Sequence, residues 1–295
     1  MSDKERIIKM ANKFRLAAFA DEASKMIDGQ IKAMKENGVE MLEMRGVDGE
    51  NVSDISEKKA KEVKIKLDSA GLSVWSIGSP IGKVDIKDDF GAECDKFKRV
   101  LDTALITGAK CIRLFSFYGT EGKPEYRDEV LLRLSKYIEI AKGSGVILCH
   151  ENEKGIYGDT AARCDEILSA LPDLKAVYDP ANFIQCHEDT LAAWALLKKY
   201  VCYFHVKDCL ASGDVVPAGK GVAHLDRIIP EYGEMTDAGK ASGILTLEPH
   251  LTSFVGLSGL EAGEKSEIGK LYHFDSDEAA FKCAVDSLKE IINNI

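Results

Sequence analysis

Short runs rich in β-branched and aromatic residues alternate with longer stretches of helical periodicity from one end of this chain to the other. The β-type runs fall at 15–20, 39–44, 72–77, 110–116, 145–151, 174–179, 201–206 and 243–248. Between them lie amphipathic segments such as EASKMIDGQIKAMKENG (22–38), SEKKAKEVKIKLDSAG (56–71) and RDEVLLRLSKYIEIAKGSG (127–145), and a last one over roughly 277–293 completes eight strand–helix pairs. Strands joined through helices pair parallel, and a parallel sheet must be covered by those helices. Glycine stands just before several strands, at Gly38, Gly71, Gly108 and Gly145, where a helix C-cap needs the left-handed conformation.

No proline- or serine-rich linker divides the units, and 295 residues suit one closed (β/α)8 barrel spanning residues 1–295. An open doubly wound sheet is the alternative, but GxGxxG after the first strand and a Walker A loop are both missing. A net charge of −10 argues against nucleic acid or an anionic membrane as a partner. The eight cysteines are scattered without a CxxC pair, and several lie inside apolar runs, as free thiols do in a reducing cytoplasm. The opening MSDKERIIKMANKF has no apolar signal core and no stretch is long enough to span a bilayer, so the expectation is a soluble, cytoplasmic protein.

Four of the later strands run into a residue that can hold a divalent ion. VILCHE ends at Glu151, LKAVYD at Asp179, VCYFH at His205 and GILTLE at Glu248. A carboxylate or imidazole at the exit of a buried strand is costly to desolvate unless it is paired or coordinated, and four at corresponding ends suggest one site. Strand alternation places Cys149 and Ile147, Val177 and Lys175, Tyr203 and Val201, and Thr246 and Ile244 on the same faces as these four. The opposite faces, with Leu148, Leu174, Ala176, Phe204, Val206, Leu245 and Leu247, are greasier and suit a cover of helices, so all four candidates point into the barrel mouth. Three carboxylates and one imidazole suit one divalent ion, Mn2+, Mg2+, Co2+ or Zn2+. Residues 150–153 read His-Glu-Asn-Glu; Glu151 follows directly on the apolar run and is preferred to Glu153, and His150 faces the other way. Asp179 before Pro180 also reads as a turn or cap residue, and His205 as a satisfied core histidine.

Other residues are weighed more evenly. Glu43 and Arg45 close the second strand, where they could bind hydroxyls or form an ion pair. Trp75, of opposite parity to Ser76, could stack on a sugar or fill core, and core is preferred. Arg113 could bridge carboxylates of the mouth or form a buried structural pair. Asn182 could meet a substrate hydroxyl or cap a turn, and His250 could assist the site or lie on its rim. Two long segments, 208–224 and 249–276, follow strands that carry candidate ligands, as pocket-building loops do on barrels. Lys207, Lys220 and the glycines of AGKGV (218–222) could form an anion cradle for a phosphorylated substrate.

The segments VILCHENEKG, VYDPAN, FHVKD and TLEPH, with FADEAS and LEMRGVDG nearer the start, resemble in order and spacing the sugar phosphate isomerase/epimerase family of xylose isomerase-like barrels. The resemblance implies that Glu151, Asp179, His205 and Glu248 are metal ligands, that Glu151 and Glu248 also exchange a substrate proton, and that Lys207 is the lysine of the family's HxKD element. Such chemistry removes a proton alpha to a carbonyl through an enediolate that a divalent ion stabilises. The expectation is therefore an isomerase or epimerase acting on a small ketose or related carbonyl sugar. A dehydratase on a keto-polyol such as a keto-inositol shares the first step, and a non-catalytic sugar-binding barrel is the reading from another class. The family also holds DNA-repair endonucleases with a three-zinc cluster; Asn182 stands where one of their extra histidines would be, and the third and fourth strands end without histidine. Barrels of this type often pair, which leaves a homodimer open as a partner, although no apolar stripe marks an interface.

Overall fold

The computed structural model describes residues 13–252 and 272–295. Eight parallel strands close into a barrel: β1 Arg15–Ala18, β2 Met41–Met44, β3 Ser73–Gly78, β4 Cys111–Leu114, β5 Ile147–Glu151, β6 Lys175–Tyr178, β7 Val201–Val206 and β8 Ile244–Leu247. Each pairs with its neighbours in chain order, and β8 closes the ring on β1 through Arg15–Ile244 to Ala18–Leu247. All eight β-type runs of the sequence therefore become barrel strands. The covering helices are α1 Ile27–Asn37, α2 Glu57–Ala70, α3 Phe90–Thr107, α4 Arg127–Ala141, α5 Ala161–Ala170, a short α6 Pro180–Gln185, α7 Thr190–Leu197, α8 Leu225–Asp237 and α9 Asp277–Asn293.

Local chemistry sets the helix ends. Ser56, Asp89, Thr160, Asp189 and Ser276 each accept a backbone N–H of the first turn, which satisfies donors with no partner inside the helix. Gly38, Gly71 and Gly108 take left-handed caps with φ of 64°, 75° and 78°. Gly145 differs. Helix α4 stops earlier, at Ala141, and Gly143 and Gly145 supply positive φ to the turn that follows.

Two packed layers follow from strand alternation. Leu148, Leu174, Ala176, Phe204, Val206, Leu245 and Leu247 join the continuous core between strands and helices. Inside the barrel, Ala17, Met41, Cys111, Cys149, Val177, Tyr203 and Ile244 form a second, smaller apolar group. Alternation breaks at two places. Leu42 pairs with Val74 but Glu43 with Ser76, so Trp75 is an extra residue in β3. Ala176 pairs with Val201 but Val177 with Tyr203, so Cys202 is an extra residue in β7. A bulge of this kind re-aims side chains: Val201 joins the outer core instead of the interior, whereas Trp75 and Cys202 pack against the inner group.

The 208–224 segment carries a small ribbon in which Asp208–Cys209 pairs antiparallel with Val215–Val216. Of the 249–276 segment, residues 253–271 lie outside the described residues. No helix among the described residues is long and apolar enough to cross a membrane.

Candidate metal centre

Glu151 ends β5, Asp179 follows β6 directly, His205 lies near the end of β7 and Glu248 follows β8. All four are buried, and each offers a ligand atom within 4.8 Å of all the others. The Nδ1 of His205 lies 2.9 Å from both Glu151 Oε1 and Glu248 Oε2. Glu153 stands apart from this group: Lys83, packed over the Phe115 ring, pairs with it at 3.0 Å. His150 faces away, its Nε2 3.0 Å from the hydroxyl of Ser116, and burial pushes its pKa down to about 3, so it stays neutral.

Asp179 combines two readings that seemed exclusive. Its Oδ1 accepts the backbone N–H of Asn182 at the start of α6, a capping bond of 3.0 Å, while Oδ2 faces Lys207 at 2.7 Å. Asn182 donates from Nδ2 to the carbonyl of Asn152 at 2.8 Å and to Glu151 Oε1 at 3.4 Å, tying two ligand-bearing strands together. Asn152, which the sequence reading passed over, exchanges two hydrogen bonds with the Asp179 backbone, donating to its carbonyl and accepting its N–H.

Glu43 meets His205 from below the carboxylates. Its Oε2 lies 3.2 Å from His205 Nε2, and Tyr203 donates to its Oε1 at 2.7 Å. A metal-binding histidine typically gives its second ring N–H to a carboxylate, which fixes the tautomer with the other nitrogen free to ligate. With Nε2–H on Glu43, Nδ1 is the nitrogen that faces Glu151 and Glu248, and losing its proton would free its lone pair to ligate. Burial disfavours the charged Glu43, but His205, Arg113 and Tyr203 outweigh it and hold the carboxyl below its ordinary value.

Arg113 lies 3.1 Å from Glu151 Oε2 and 3.7 Å from Glu248 Oε1. Arg45 donates to Asp21 at 2.9 and 3.0 Å and to Glu22 at 3.1 Å, and reaches Glu248 Oε1 at 3.6 Å. Phe19 sits against this layer, with the guanidinium carbons of Arg45 and Arg113 4.4 and 5.2 Å from its ring centroid and the His205 ring edge-on at 5.3 Å. A Cβ at Gly78 would come within 2.4 Å of that ring, so glycine makes room for it. His250 lies 3.2 Å from Glu248 and gives its backbone N–H to Glu22. Trp75 lies in the inner apolar group, edge-on to Tyr203 at 5.8 Å, a packing position one layer below the carboxylates.

Charge decides what the cluster can hold. Burial pushes Glu22 up to about 8 against the pull of Arg45, so it is neutral at pH 7. Asp21, Glu43, Glu151, Asp179 and Glu248 then face Arg45, Arg113 and Lys207, so in this buried cluster the carboxyl groups outnumber the guanidinium and ammonium groups by two. Isolated buried charges cost far more than a fold can spare, so such sites take up protons or cations. Burial opposes an imidazolium, yet Glu151, Glu43 and Glu248 outweigh it and hold His205 well above its ordinary value. Burial also pushes Asp179 up to about 7, despite Lys207 and with the repulsion of Glu248 and Glu151. Protons on His205 and Asp179 thus offset the excess of carboxyl groups, a role open to a divalent ion as well.

The orphaned oxygens point the same way. Glu151 Oε2, Asp179 Oδ2 and Glu248 Oε2 are buried without a hydrogen-bond partner. Arg113, Lys207 and His205 lie within 3.1, 2.7 and 2.9 Å of them, but as ion pairs lacking the angles of hydrogen bonds. Glu151, Asp179, Glu248 and His205 would hold a divalent ion that supplies what these oxygens lack, so the residues present fit one.

The glycine loop of 218–222 does not offer a free anion cradle. The backbone N–H groups of Gly219, Gly221, Ala223 and Cys209 all donate to the Asp208 carboxylate, at 2.8 to 3.0 Å. The chain's own anion already occupies the nest.

The profile of the xylose isomerase-like TIM barrel matches residues 31–264, most of the sequence. The chain belongs to that family. Solved structures of similar fold include D-psicose 3-epimerase with D-tagatose from Clostridium cellulolyticum, at 14% identity and TM-score 0.71, covering 94% of this chain and 98% of that one. L-ribulose 3-epimerase superposes at TM-score 0.71 and 17% identity, covering 95% and 94%. A xylose isomerase-like TIM barrel protein from Mycobacterium smegmatis in complex with magnesium does so at 0.68 and 15%, covering 96% and 98%. At these identities the likeness is one of fold. No curated protein matches the sequence of this family member.

Proposed function

We propose that this barrel is a divalent-metal-dependent isomerase or epimerase of a small ketose or a related carbonyl sugar. The reading is carried by one observation, the convergence of Glu151, Asp179, His205 and Glu248 into a buried group with orphaned carboxylate oxygens. These four would hold the ion, Mn2+, Mg2+, Co2+ or Zn2+, which when bound supplies Lewis-acid polarisation of a substrate carbonyl.

The chain's own residues supply the proton transfer. Glu151 and Glu248 flank Asp179 and His205 around the ring, on β5 and just past β8. Each has two carboxylate oxygens, so one can face the ion while the other takes or returns a proton at the carbon alpha to the carbonyl. Return to the opposite face of the same carbon is epimerisation, and return to the neighbouring carbon is isomerisation. Lys207 keeps its charge beside Asp179 and Glu248, whose carboxylates hold it up against the effect of burial. That fixed positive charge is placed to meet negative charge developing on a substrate oxygen. Arg113, against both glutamates, fixes their orientation.

The test is carbon-bound hydrogen exchange in deuterated water. Tetroses to hexoses, with and without phosphate, are screened with Mn2+- or Co2+-loaded protein. Stereospecific exchange with product formation is the expected result. Exchange accompanied by loss of water would identify a lyase acting on a keto-polyol. Retention of less than about one-tenth equivalent of metal after reconstitution would sink the catalytic reading and leave a sugar-binding barrel.

A further inference from the structure

Below the mouth, three of the eight cysteines meet inside the barrel. Cys111 opens β4, Cys149 lies within β5 and Cys202 is the second residue of β7. Their sulfurs lie within 4.8 Å of one another, and those of Cys111 and Cys202 are 4.0 Å apart. Cys111 and Cys149 are buried and Cys202 is half-buried, the most exposed of the three. Tyr203 divides it from the mouth: its ring packs with the inner apolar group and lies 5.5 Å from that of His205.

Alternation alone would not assemble this group. With Tyr203 facing inward, Cys202 belongs on the outer face, and only the extra residue in β7 brings it to the interior. The surroundings are apolar, with Ala17, Val177 and Ile244, and the thioether of Met41 belongs to the same packed group. A planar site with metal–sulfur bonds of ~2.3 Å places its three sulfurs about 4.0 Å apart, close to the spacing found here. Thiolate and thioether donors select soft ions. Zn2+ ordinarily asks for a fourth ligand of nitrogen, sulfur or oxygen, and the group itself offers three thiols.

We propose that Cys111, Cys149 and Cys202 form a three-sulfur site for one soft, thiophilic cation of the Cu(I) class, separate from the candidate metal centre in the mouth. Binding exchanges thiol protons, released to solvent, for the cation, with no change of oxidation state when the metal arrives as Cu(I). Hydrogen bonds from Cys111 and Cys149, with help from Lys175, hold the Cys202 thiol below its ordinary value against the effect of burial.

Reduced, full-length protein titrated anaerobically with Cu(I) against a chelating competitor tests this. The wild type is expected to hold one chelator-resistant equivalent. Cys202→Ser and Cys149→Ser are each expected to weaken it by at least about tenfold. Cys94→Ser and Cys283→Ser, at cysteines outside the group, and Asp179→Asn, in the mouth, should leave it unchanged. Alkylation of Cys202 by iodoacetamide, read by peptide mass, should be suppressed by one equivalent of Cu(I), a readout that needs no variant to fold. Equal copper retention in wild type and Cys202→Ser, or alkylation that Cu(I) does not suppress, would overturn the proposal.

Discussion

At the scale of single residues, Glu43 exerts its influence without touching the ion. It takes the Nε2–H of His205 and the hydroxyl proton of Tyr203, and so fixes which imidazole nitrogen faces the carboxylates. Glu43→Gln should weaken divalent-ion affinity by about 10- to 100-fold, read by calorimetric titration; unchanged affinity would remove Glu43 from the supporting shell. Glu151→Gln and Glu248→Gln keep shape but lose the proton-carrying oxygen pair. Each is expected to retain the circular dichroism of the fold and to lose turnover by about 10²- to 10⁴-fold. Wild-type turnover in either variant would exclude that glutamate as a proton carrier. The convergence of Glu151, Asp179, His205 and Glu248 was legible because alternation places strand-end residues without any knowledge of contacts. The role of Glu43 was not, because a carboxylate that orients an imidazole and one that binds a hydroxyl leave the same mark in sequence. Asn152 was hidden for a related reason, since its partners are backbone atoms of a segment distant in the chain.

At the scale of elements, the eight strands were readable because each is a short β-rich run bounded by turn residues. The bulges at Trp75 and Cys202 were not, since an extra residue in a strand changes pairing without changing composition. That hidden slip is why Trp75 and Ser76 both come up against Tyr203, the first edge-on and the second through a 3.0 Å hydroxyl contact. The 218–222 loop teaches the same lesson from the other side. Its glycines suit an anion, but the anion is Asp208. A Cβ at Gly221 would lie 2.1 Å from Asp208 Oδ1 and 2.3 Å from the carbonyl oxygen of Cys209, so glycine there allows the loop to wrap the carboxylate. Asp208→Ala leaves four N–H groups without their acceptor and should cost about 3 kcal/mol of stability, measured by urea denaturation. A loss below about 0.5 kcal/mol would mean that the loop holds its shape by other contacts.

At the scale of the whole molecule, the barrel concentrates negative charge in its mouth and leaves proton and metal to compete for it. Without the ion, His205 is held well above its ordinary value and Asp179 is pushed up to about 7. Both groups then bind protons more tightly in the folded chain than in the unfolded one. Their contribution to metal-free stability is therefore present at low pH and is lost as pH rises, from the unfolded carboxyl range through about 7 and on through the folded pKa of His205. Metal ligation needs the carboxylate and the neutral imidazole, so binding expels these protons. Ion affinity should accordingly rise with pH, by between about tenfold and a hundredfold per unit while one to two protons are displaced. Since an ion that binds only the folded state stabilises in proportion to the logarithm of its saturation, the melting-temperature gap between Mn2+-loaded and metal-free protein should widen from pH 6 to pH 8. Calorimetric titrations in buffers of different ionisation enthalpy would count the protons released directly. A gap that stays constant or narrows, with no proton release, would mean that the mouth does not exchange protons for a metal.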